Sequence, residues 1–499
     1  MPDIVAPDER ETLQALAALR PDLIEAYTRA LPGARAAVLG RLWGALGREP
    51  LAGVASRHTH NGQLTVTLHD GRRLHGPAAA AEPFAAPPEH VVLDGRPYPH
   101  PARLAETLAL PGETGRFVAE LDNSVANLAL ARAAHRPAPD TSLADVEQSV
   151  VDGHPLHPCC RTRAGMSTAD VLRYAPEHRT TVALHLLHVD PAHWHTSGVP
   201  RPPLLPVHPW QLERVLRSGH ARDTGHTVPA RPLMSLRTLA IGTGYHVKTA
   251  VDVQMTSAVR TVSPAAVHNG PLASALVAAL TAGTGAISVL QERSGGAILV
   301  DGEPDRSMAA VWRDAPPADA TVLPLAVLTD RPHLLTTEFF TDLVELMLPP
   351  LLTLLHLGVA LEAHGQNTLV ALEGRRPVRL LYRDFGGIQV SPRRLARAGV
   401  QMPPLIGSLP GDDPDALRTK LFAAALSTVL TGLIAVMGSR QALWDRVAAT
   451  ARRVFADLPG EQDSAAFFGD TLPLKATTAM RLADDPREDR WAALPNPMR

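Results

Sequence analysis

Sulfur chemistry has little to work with in this chain of 499 residues, whose only two cysteines are neighbours, Cys159 and Cys160. Adjacent thiols cannot staple distant segments or supply a four-ligand zinc site, so a reducing cytoplasm is the expected compartment. Charge of one sign is lacking too: 48 Lys and Arg against 50 Asp and Glu leave a net charge of −2. That balance argues against a nucleic-acid or membrane-surface role resting on bulk charge. The opening M-P-D-I-V-A-P-D-E-R has neither a basic n-region nor an apolar h-region, so no secretion signal is expected. The most membrane-like run, Leu343 to Leu361, is interrupted by Glu345, Pro349, Pro350 and His356. It reads as a buried helix starting after the prolines, not as a span. There is no G-x-x-x-x-G-K-[ST] loop and no G-x-G-x-x-G, so a nucleotide would have to be held in another way.

What is present is an ordinary globular composition, 45% hydrophobic and 20% charged, in a chain long enough for two to four domains. Residues 8 to 47 read as helical with breaks at Pro21 and Pro32, and a hairpin turns at Asp70-Gly71. A further helix is expected from about Thr114 to Ala134. Residues 1–135 therefore form a mostly helical first domain. A helix over Asp140 to Val151, N-capped by Ser142, delivers D-G-H-P-L-H-P-C-C-R-T-R-A-G-M-S, residues 152 to 167. Its cationic donors and rigid prolines suit a phosphate or carboxylate clamp, and a solvated basic turn fits as well. In P-V-H-P-W-Q, His208 and Trp210 read as packing residues. Two strands follow, M-S-L-R-T-L-A and Y-H-V-K-T-A-V-D-V-Q, joined by Gly242-Thr243-Gly244. Ser235, Arg237, Lys248 and Arg260 then lie on or beside one hairpin, and three cations facing little but Asp252 call for an anionic partner. Residues 306 to 329 look like a connector, and the tail after Pro486 looks frayed.

The densest stretch runs from Glu362 to Gly387: E-A-H-G-Q-N-T-L-V, a turn at Glu373 to Arg376, then R-L-L-Y-R-D-F-G-G. Read as a β-hairpin, it sets Glu362 and Asn367 at the mouth of one strand beside Arg383 and Asp384 at the exit of the other. Oxygens of Glu, Asn and Asp converging there suit a hard cation such as Mg²⁺, and His364 and Arg383 could meet an anionic substrate. A helix C-cap at Gly365 followed by a salt-bridged hairpin is the plainer alternative.

Several separated motifs together resemble one family, the NRPS-independent siderophore (NIS) synthetases of the IucA/IucC type. They are G-H-P-L-H-P-x-x-R-x-R-x-G, Y-A-P-E, P-V-H-P-W-Q, S-L-R-T, H-V-K-T, T-S-A-V-R-T-V-S-P, E-A-H-G-Q-N, R-D-F-G-G and K-A-x-x-A-M-R-L. The resemblance spans residues from about 115 to 482. It implies an α+β fold shaped as a cupped hand around one cleft, with mixed antiparallel sheets and packed helices. Its parts would be a thumb at 1–135, fingers at 136–330 binding ATP, and a palm at 331–499. The implied activity is ATP-dependent activation of a carboxylate as an acyl-adenylate, then capture by an amine or hydroxyl. Citrate is the family's commonest carboxylate; succinyl or citryl monoamides and 2-oxoglutarate are also used.

Carried over by position, the resemblance assigns His157, Arg161, Arg163, Ser167, Ser235, Arg237, Thr238 and Lys248 to ATP. Thr256, Arg260, His364 and Gln366 go to the substrate carboxylates, and Glu362, Asn367 and Asp384 to Mg²⁺. The catalytic roles fall to Lys248, Arg260 and His364. Arg161 stands where the family usually has lysine, which keeps the charge but changes the donor geometry. The resemblance implies small-molecule partners, no nucleic acid and no membrane, and it leaves a homodimer open. Two rivals exist. H-G-x-N-T-L-V followed by R-D-F-G mimics a kinase catalytic loop and its metal-binding motif, but the base aspartate and the glycine-rich loop are missing. A siderophore-binding or ferric-reductase-like protein would want cysteines near the C-terminus, and none follows Cys160.

Overall fold

The computed structural model describes residues 7–137, 139, 141–242, 244–256 and 258–499. Asp140, Thr243, Ser257 and the N-terminal residues on which the leader reading rests lie outside these.

The fold is α+β, as expected. Helices Pro7–Leu19, Ile24–Arg48, Pro101–Leu108 and Thr114–Ala134 share a first core built on Leu39, Leu42, Leu121 and Leu128. The expected break at Pro32 is absent, because buried Tyr27, Leu31, Ala34 and Val38 hold that helix to the core. This region is mostly helical, but it holds more strand than the one expected hairpin. It carries a five-stranded meander, paired in simple sequence order between Val54 and Tyr98. Its first strand, Val54–His60, is exposed along almost its whole length, so no apolar alternation marks it.

The centre is an antiparallel sheet of eight strands. Its order is Trp194–Gly198, Glu292–Val300, Glu303–Asp314, Tyr245–Thr249, Thr238–Ile241, Ala221–Pro232, Val182–Val189 and Leu204–Val207. The expected connector at 306 to 329 thus begins inside a strand of the central sheet, which ends at Asp314, and continues into the short strand Thr321–Pro324. Residues 307 to 313 are buried on both faces, which removes the alternation that reveals a half-exposed strand.

The last third is organised by the helix Thr337–Leu357. It runs straight through Pro349 and Pro350 instead of starting after them. Leu343, Met347, Leu351 and Leu354 are all buried against the core, and this packing outweighs the hydrogen bonds the prolines remove. Two helical stretches, Thr337–Leu357 and Pro414–Met437, are long and apolar enough to cross a membrane, yet 56% and 67% of their apolar windows are buried inside the protein. Nor does the tail end loosely at Pro486. Trp491–Pro495 pairs with Thr471–Lys475, and Ala476, Ala479, Leu482 and Ala492 return to the first core.

Candidate active site

Register places the first group of charges. Thr238 pairs with Lys248, His246 with Arg313, and Arg313 with Glu292, so these side chains share one face of the central sheet. At Ala250 the chain leaves that sheet. Val251–Met255 then forms the middle strand of a small sheet between Ala258–Arg260 and Arg163–Ala164. The long strand expected through Gln254 is therefore two strands in two sheets. This switch sets Arg163 and Arg260 on the two strands that flank Val251–Met255, and Thr256, with a left-handed φ of 53°, turns the chain from Val251–Met255 into Ala258–Arg260.

The second group comes from the expected hairpin, Thr368–Glu373 with Arg376–Tyr382, in which Thr368 lies opposite Tyr382. Glu362, His364, Gln366 and Asn367 precede the first strand, and Asp384 follows the second. The helix C-cap is Gly358, with φ 104°, and not Gly365. Gly365 answers a close approach instead: a Cβ there would lie 2.6 Å from the Ala326 main-chain nitrogen, which donates to the Gly365 carbonyl at 2.9 Å. The second glycine of R-D-F-G-G has a similar purpose. A Cβ on Gly387 would fall 2.1 Å from Glu362 Oε2.

The two groups meet at Lys248 and Asp384. The ammonium donates to both carboxylate oxygens at 2.9 Å, with the lysine side chain only 10% exposed. Burial would raise the Asp384 pKa, but Lys248, then Arg313 and Arg237, hold it well below the ordinary carboxylate range. Asp384 adopts φ 73°, a conformation uncommon outside glycine and the kind of local strain that collects at functional sites. Arg260 is half-buried among Arg237, Asp384, Arg163 and Glu362; burial, with Arg237 adding to it, pushes its pKa down to about 10. Arg237 is anchored by a bond to the Thr261 carbonyl. His157 is buried, accepts from Cys159 N at 3.0 Å through Nδ1, and leaves Nε2 buried without a partner among the described residues. His364 likewise accepts through Nδ1, from Gln366 N at 3.2 Å, and burial holds it neutral.

Three of the expected contacts have other work. Arg383 does not face the cleft, being buried with Nη1 on Glu147 Oε1 at 2.6 Å and Nε on the Gln366 carbonyl at 3.1 Å. Arg161 spends its donors on the Val150 and Val151 carbonyls and on Glu177. The exposed Ser167 hydroxyl caps the helix Thr168–Tyr174, accepting from Asp170 N at 3.2 Å. Ser235 closes the turn into the Thr238 strand, its carbonyl accepting from Thr238 N at 2.9 Å. His208 and Trp210 pack on Tyr174, as their surroundings suggested.

The residues present suit a metal–phosphate group. Glu362, Asn367 and Asp384 offer two carboxylates and an amide, a hard-oxygen set. No cluster of three or more His, Cys, Asp or Glu that could hold a metal occurs among the described residues. The cations nearby and the orphaned His157 nitrogen suit phosphate oxygens.

Comparison with known proteins finds the resembled family and the same fold. The profile of the IucA / IucC family matches residues 142–203 and 200–330, and that of the "Ferric iron reductase FhuF-like transporter" matches 337–489. Staphyloferrin A synthase of Staphylococcus aureus is 25% identical over 426 residues, covering 71% of this chain and 72% of that protein. The L-2,3-diaminopropanoate–citrate ligase of the same organism is 27% identical over 310 residues, 49% of this chain and 54% of the ligase. Among solved structures, the petrobactin biosynthesis protein AsbB of Bacillus anthracis superposes with a TM-score of 0.79 at 19% identity, over 95% of this chain and 98% of that one. ATP-bound aerobactin synthetase IucA of Klebsiella pneumoniae gives 0.75 at 19%, over 92% and 99%. The chain is similar to the IucA/IucC siderophore synthetases, whose family profile covers residues 142–330 of it.

The family's motifs do not reveal every charge around this cleft. Glu292 is buried beside Lys248 and Asp384, and burial pushes its pKa up to about 7. Lys475 reaches Asp489 at 2.9 Å and Glu362 at 3.7 Å, bringing the C-terminal hairpin to the mouth of the site. Glu177 binds two arginines at once. No spacing rule could have found Glu292, whose partners lie 44 and 92 positions away in the chain. Lys475 and Glu177 do stand in motifs, but nothing in those motifs says what they touch.

Proposed function

We propose that this protein is an ATP-dependent ligase of siderophore biosynthesis, acting in the cytoplasm. It adenylates a polycarboxylate, citrate first, and joins it to an amine or hydroxyl, releasing AMP and pyrophosphate. The observation that carries this reading is the gathering of Lys248, Arg237, Arg260 and Arg163 with Asp384 and Glu362. Names among the relatives, staphyloferrin A synthase and a citrate ligase, support the substrate class.

In the first step a carboxylate oxygen approaches phosphorus in line with departing pyrophosphate, so positioning and charge neutralisation dominate. Lys248, Arg237 and Arg163 face the phosphate charge, and Arg260 and His364 hold the acid. Glu362, Asn367 and Asp384 would hold Mg²⁺, which supplies further neutralisation of phosphate oxygens. In this resting arrangement Lys248 and Asp384 neutralise each other. Nucleotide binding must part them, sending Lys248 to phosphate and Asp384 toward the metal side. His364, neutral and oriented through Nδ1, presents Nε2–H as a donor to the acid.

Counting charges favours an acid with two or more carboxylates. Once the phosphates engage Lys248, Arg237 and Arg163, Arg260 still wants an anion and the neutral His364 N–H an acceptor, and leaving such donors unpaired costs several kcal/mol. Pyrophosphate release and hydroxylamine trapping across a panel of acids test the reading. Citrate or another polycarboxylate should turn over, with AMP as the nucleotide product. ADP as product would indicate a kinase, and acetate turning over as well as citrate would overturn the charge argument. The match to the ferric-reductase-like family gives one competing reading, but such an iron–sulfur centre needs thiolates. The two cysteines, at 159 and 160, are buried and lie outside the matched 337–489.

A further inference from the structure

Two arginines two positions apart enter the cleft loop, and the resemblance gives both the same task. Their surroundings differ. Arg161 is buried; its Nε donates to the Val151 carbonyl at 2.8 Å and its Nη2 to the Val150 carbonyl at 2.5 Å. Its Nη1 lies 3.1 Å from Glu177 Oε2. Two nitrogens of that guanidinium thus have main-chain acceptors, and the third is held by charge against Glu177. The loop is built around it: Gly153 turns with φ 70°, and a Cβ there would press on Arg161 Nε at 3.3 Å.

Arg163 is also buried, yet less fully used. Its main-chain N–H goes to Asn123 Oδ1 at 2.8 Å, Nη1 to the Thr162 carbonyl at 3.0 Å, and Nη2 lies 3.4 Å from Glu177 Oε1. Its Nε is buried with no acceptor among the described residues. Arg163 starts the short strand that pairs with Val251–Met255, and its charge is felt at Arg260.

Glu177 joins the two. It sits in the single 3-10 turn Pro176–His178, between a proline and the left-handed Arg179 at φ 55°, with no side-chain exposure. One buried carboxylate therefore faces two buried guanidinium groups, which leaves one positive charge for a ligand to neutralise. Burial opposes its ionisation, but Arg161 and Arg163 outweigh this and bring its pKa to about 2, so it stays charged at any working pH.

We propose that Glu177 is a positioning residue that divides the labour: it locks Arg161 as a strut of the loop and steadies Arg163 as the guanidinium that meets nucleotide phosphate. This goes beyond the resemblance, which treats both arginines as ligand contacts, and it rests on the ligase reading. Arginine at position 161 is then explained by its two main-chain acceptors and its ion pair with Glu177, which a lysine ammonium cannot serve in one plane.

The experiment compares Arg161→Lys, Arg163→Lys and Glu177→Gln in the full chain by thermal melting and by calorimetric titration with ATP in excess MgCl₂. Arg161→Lys should lower Tm most and weaken ATP less than threefold. Arg163→Lys should weaken ATP by ten- to a hundredfold with a smaller change in Tm. Glu177→Gln should lower Tm and weaken ATP at least tenfold while the protein is still folded. Glu177→Asp, which keeps the charge but draws it back, should recover part of the ATP affinity. Should Glu177→Gln fail to fold, the Arg161→Lys and Arg163→Lys pair decides. Equal losses of ATP affinity in those two variants would overturn the division of labour. So would an unchanged affinity in folded Glu177→Gln. Wild-type protein that binds no ATP would overturn the ligase reading and this proposal together; wild type that binds while all variants match it would overturn this proposal alone.

Discussion

Replacing Asp384 by Asn separates its two tasks, holding Lys248 in the resting state and serving the metal side during reaction. Asparagine is the right probe because it tolerates the left-handed backbone at φ 73° and keeps one oxygen for Lys248. At about 3.5 Å between charges and an effective dielectric near 20, the lost attraction is about 5 kcal/mol. Desolvation of both groups opposes that figure, and Asp384 keeps 28% of its side chain exposed. Glu292 also remains beside Lys248 as a second carboxylate. The expected net loss of stability is about 1–3 kcal/mol, which lowers Tm without unfolding the protein. Pyrophosphate release in excess MgCl₂ should fall by about a hundredfold or more, the usual result of removing a preorganised electrostatic group. ATP titrated in EDTA should behave in the opposite sense. With Lys248 no longer held by a carboxylate, affinity without metal should rise, up to about tenfold for 1.4 kcal/mol of released pairing. Activity within threefold of wild type would remove Asp384 from the site. Weaker ATP binding in EDTA would refute the idea that Lys248 must leave Asp384 to meet phosphate.

Three shorter predictions follow from other contacts. Glu49 is buried and accepts from Thr478 N and Ala479 N at 2.9 and 2.8 Å, while burial pushes its pKa up from 4.5 to about 7. The folded state therefore binds more protons than the unfolded one between those values, so stability falls as pH rises through that window, by about 3 kcal/mol from this group. Glu49→Gln should flatten the fall of Tm from pH 5 to about 8, and an identical slope in the variant would show that Glu49 titrates normally. Arg260→Ala removes one of several crowded cations, so Tm should hold or rise while kcat/KM for the acid drops by at least about tenfold; a drop in Tm with unchanged kcat/KM would mark Arg260 as a structural group. Gly387→Ala puts a methyl against the Glu362 carboxylate, whose flexible end can move, so pyrophosphate release should suffer far more than Tm. Full activity would show that the position of Glu362 is immaterial.

The local part of the architecture was legible. The hairpin before Asp384, the helix Thr114–Ala134 and the Ser142 cap follow from alternation, turn residues and capping chemistry, all short-range signals. What escaped notice lacked such a signal. Val54–His60 is too exposed to alternate, and residues 307 to 313 are too buried to do so. Pro32, Pro349 and Pro350 penalise a helix locally, but buried leucines on each helix outweigh the penalty through contacts with distant parts of the chain. The tail after Pro486 shows the same limit. Its strand exists because Thr471–Lys475 is there to pair with it.

At the site, residue types were readable and their pairings were not. Lys248, Arg260, His364, Glu362 and Asp384 are electrostatic neighbours in the fold. Their order in the chain cannot say that Lys248 rests on Asp384, or that Arg383 is taken by Glu147. Each such pair spans more than 100 positions, and opposite charges attract alike at any separation in sequence. A cation in a motif is therefore ambiguous until its acceptors are counted. Arg161, Arg163 and Arg383 look interchangeable as letters, yet one is held by main-chain carbonyls, one keeps an Nε with no acceptor among the described residues, and one bolts the hairpin to the helix Leu143–Gln148. Unspent donors, more than charge itself, mark where an anionic substrate belongs.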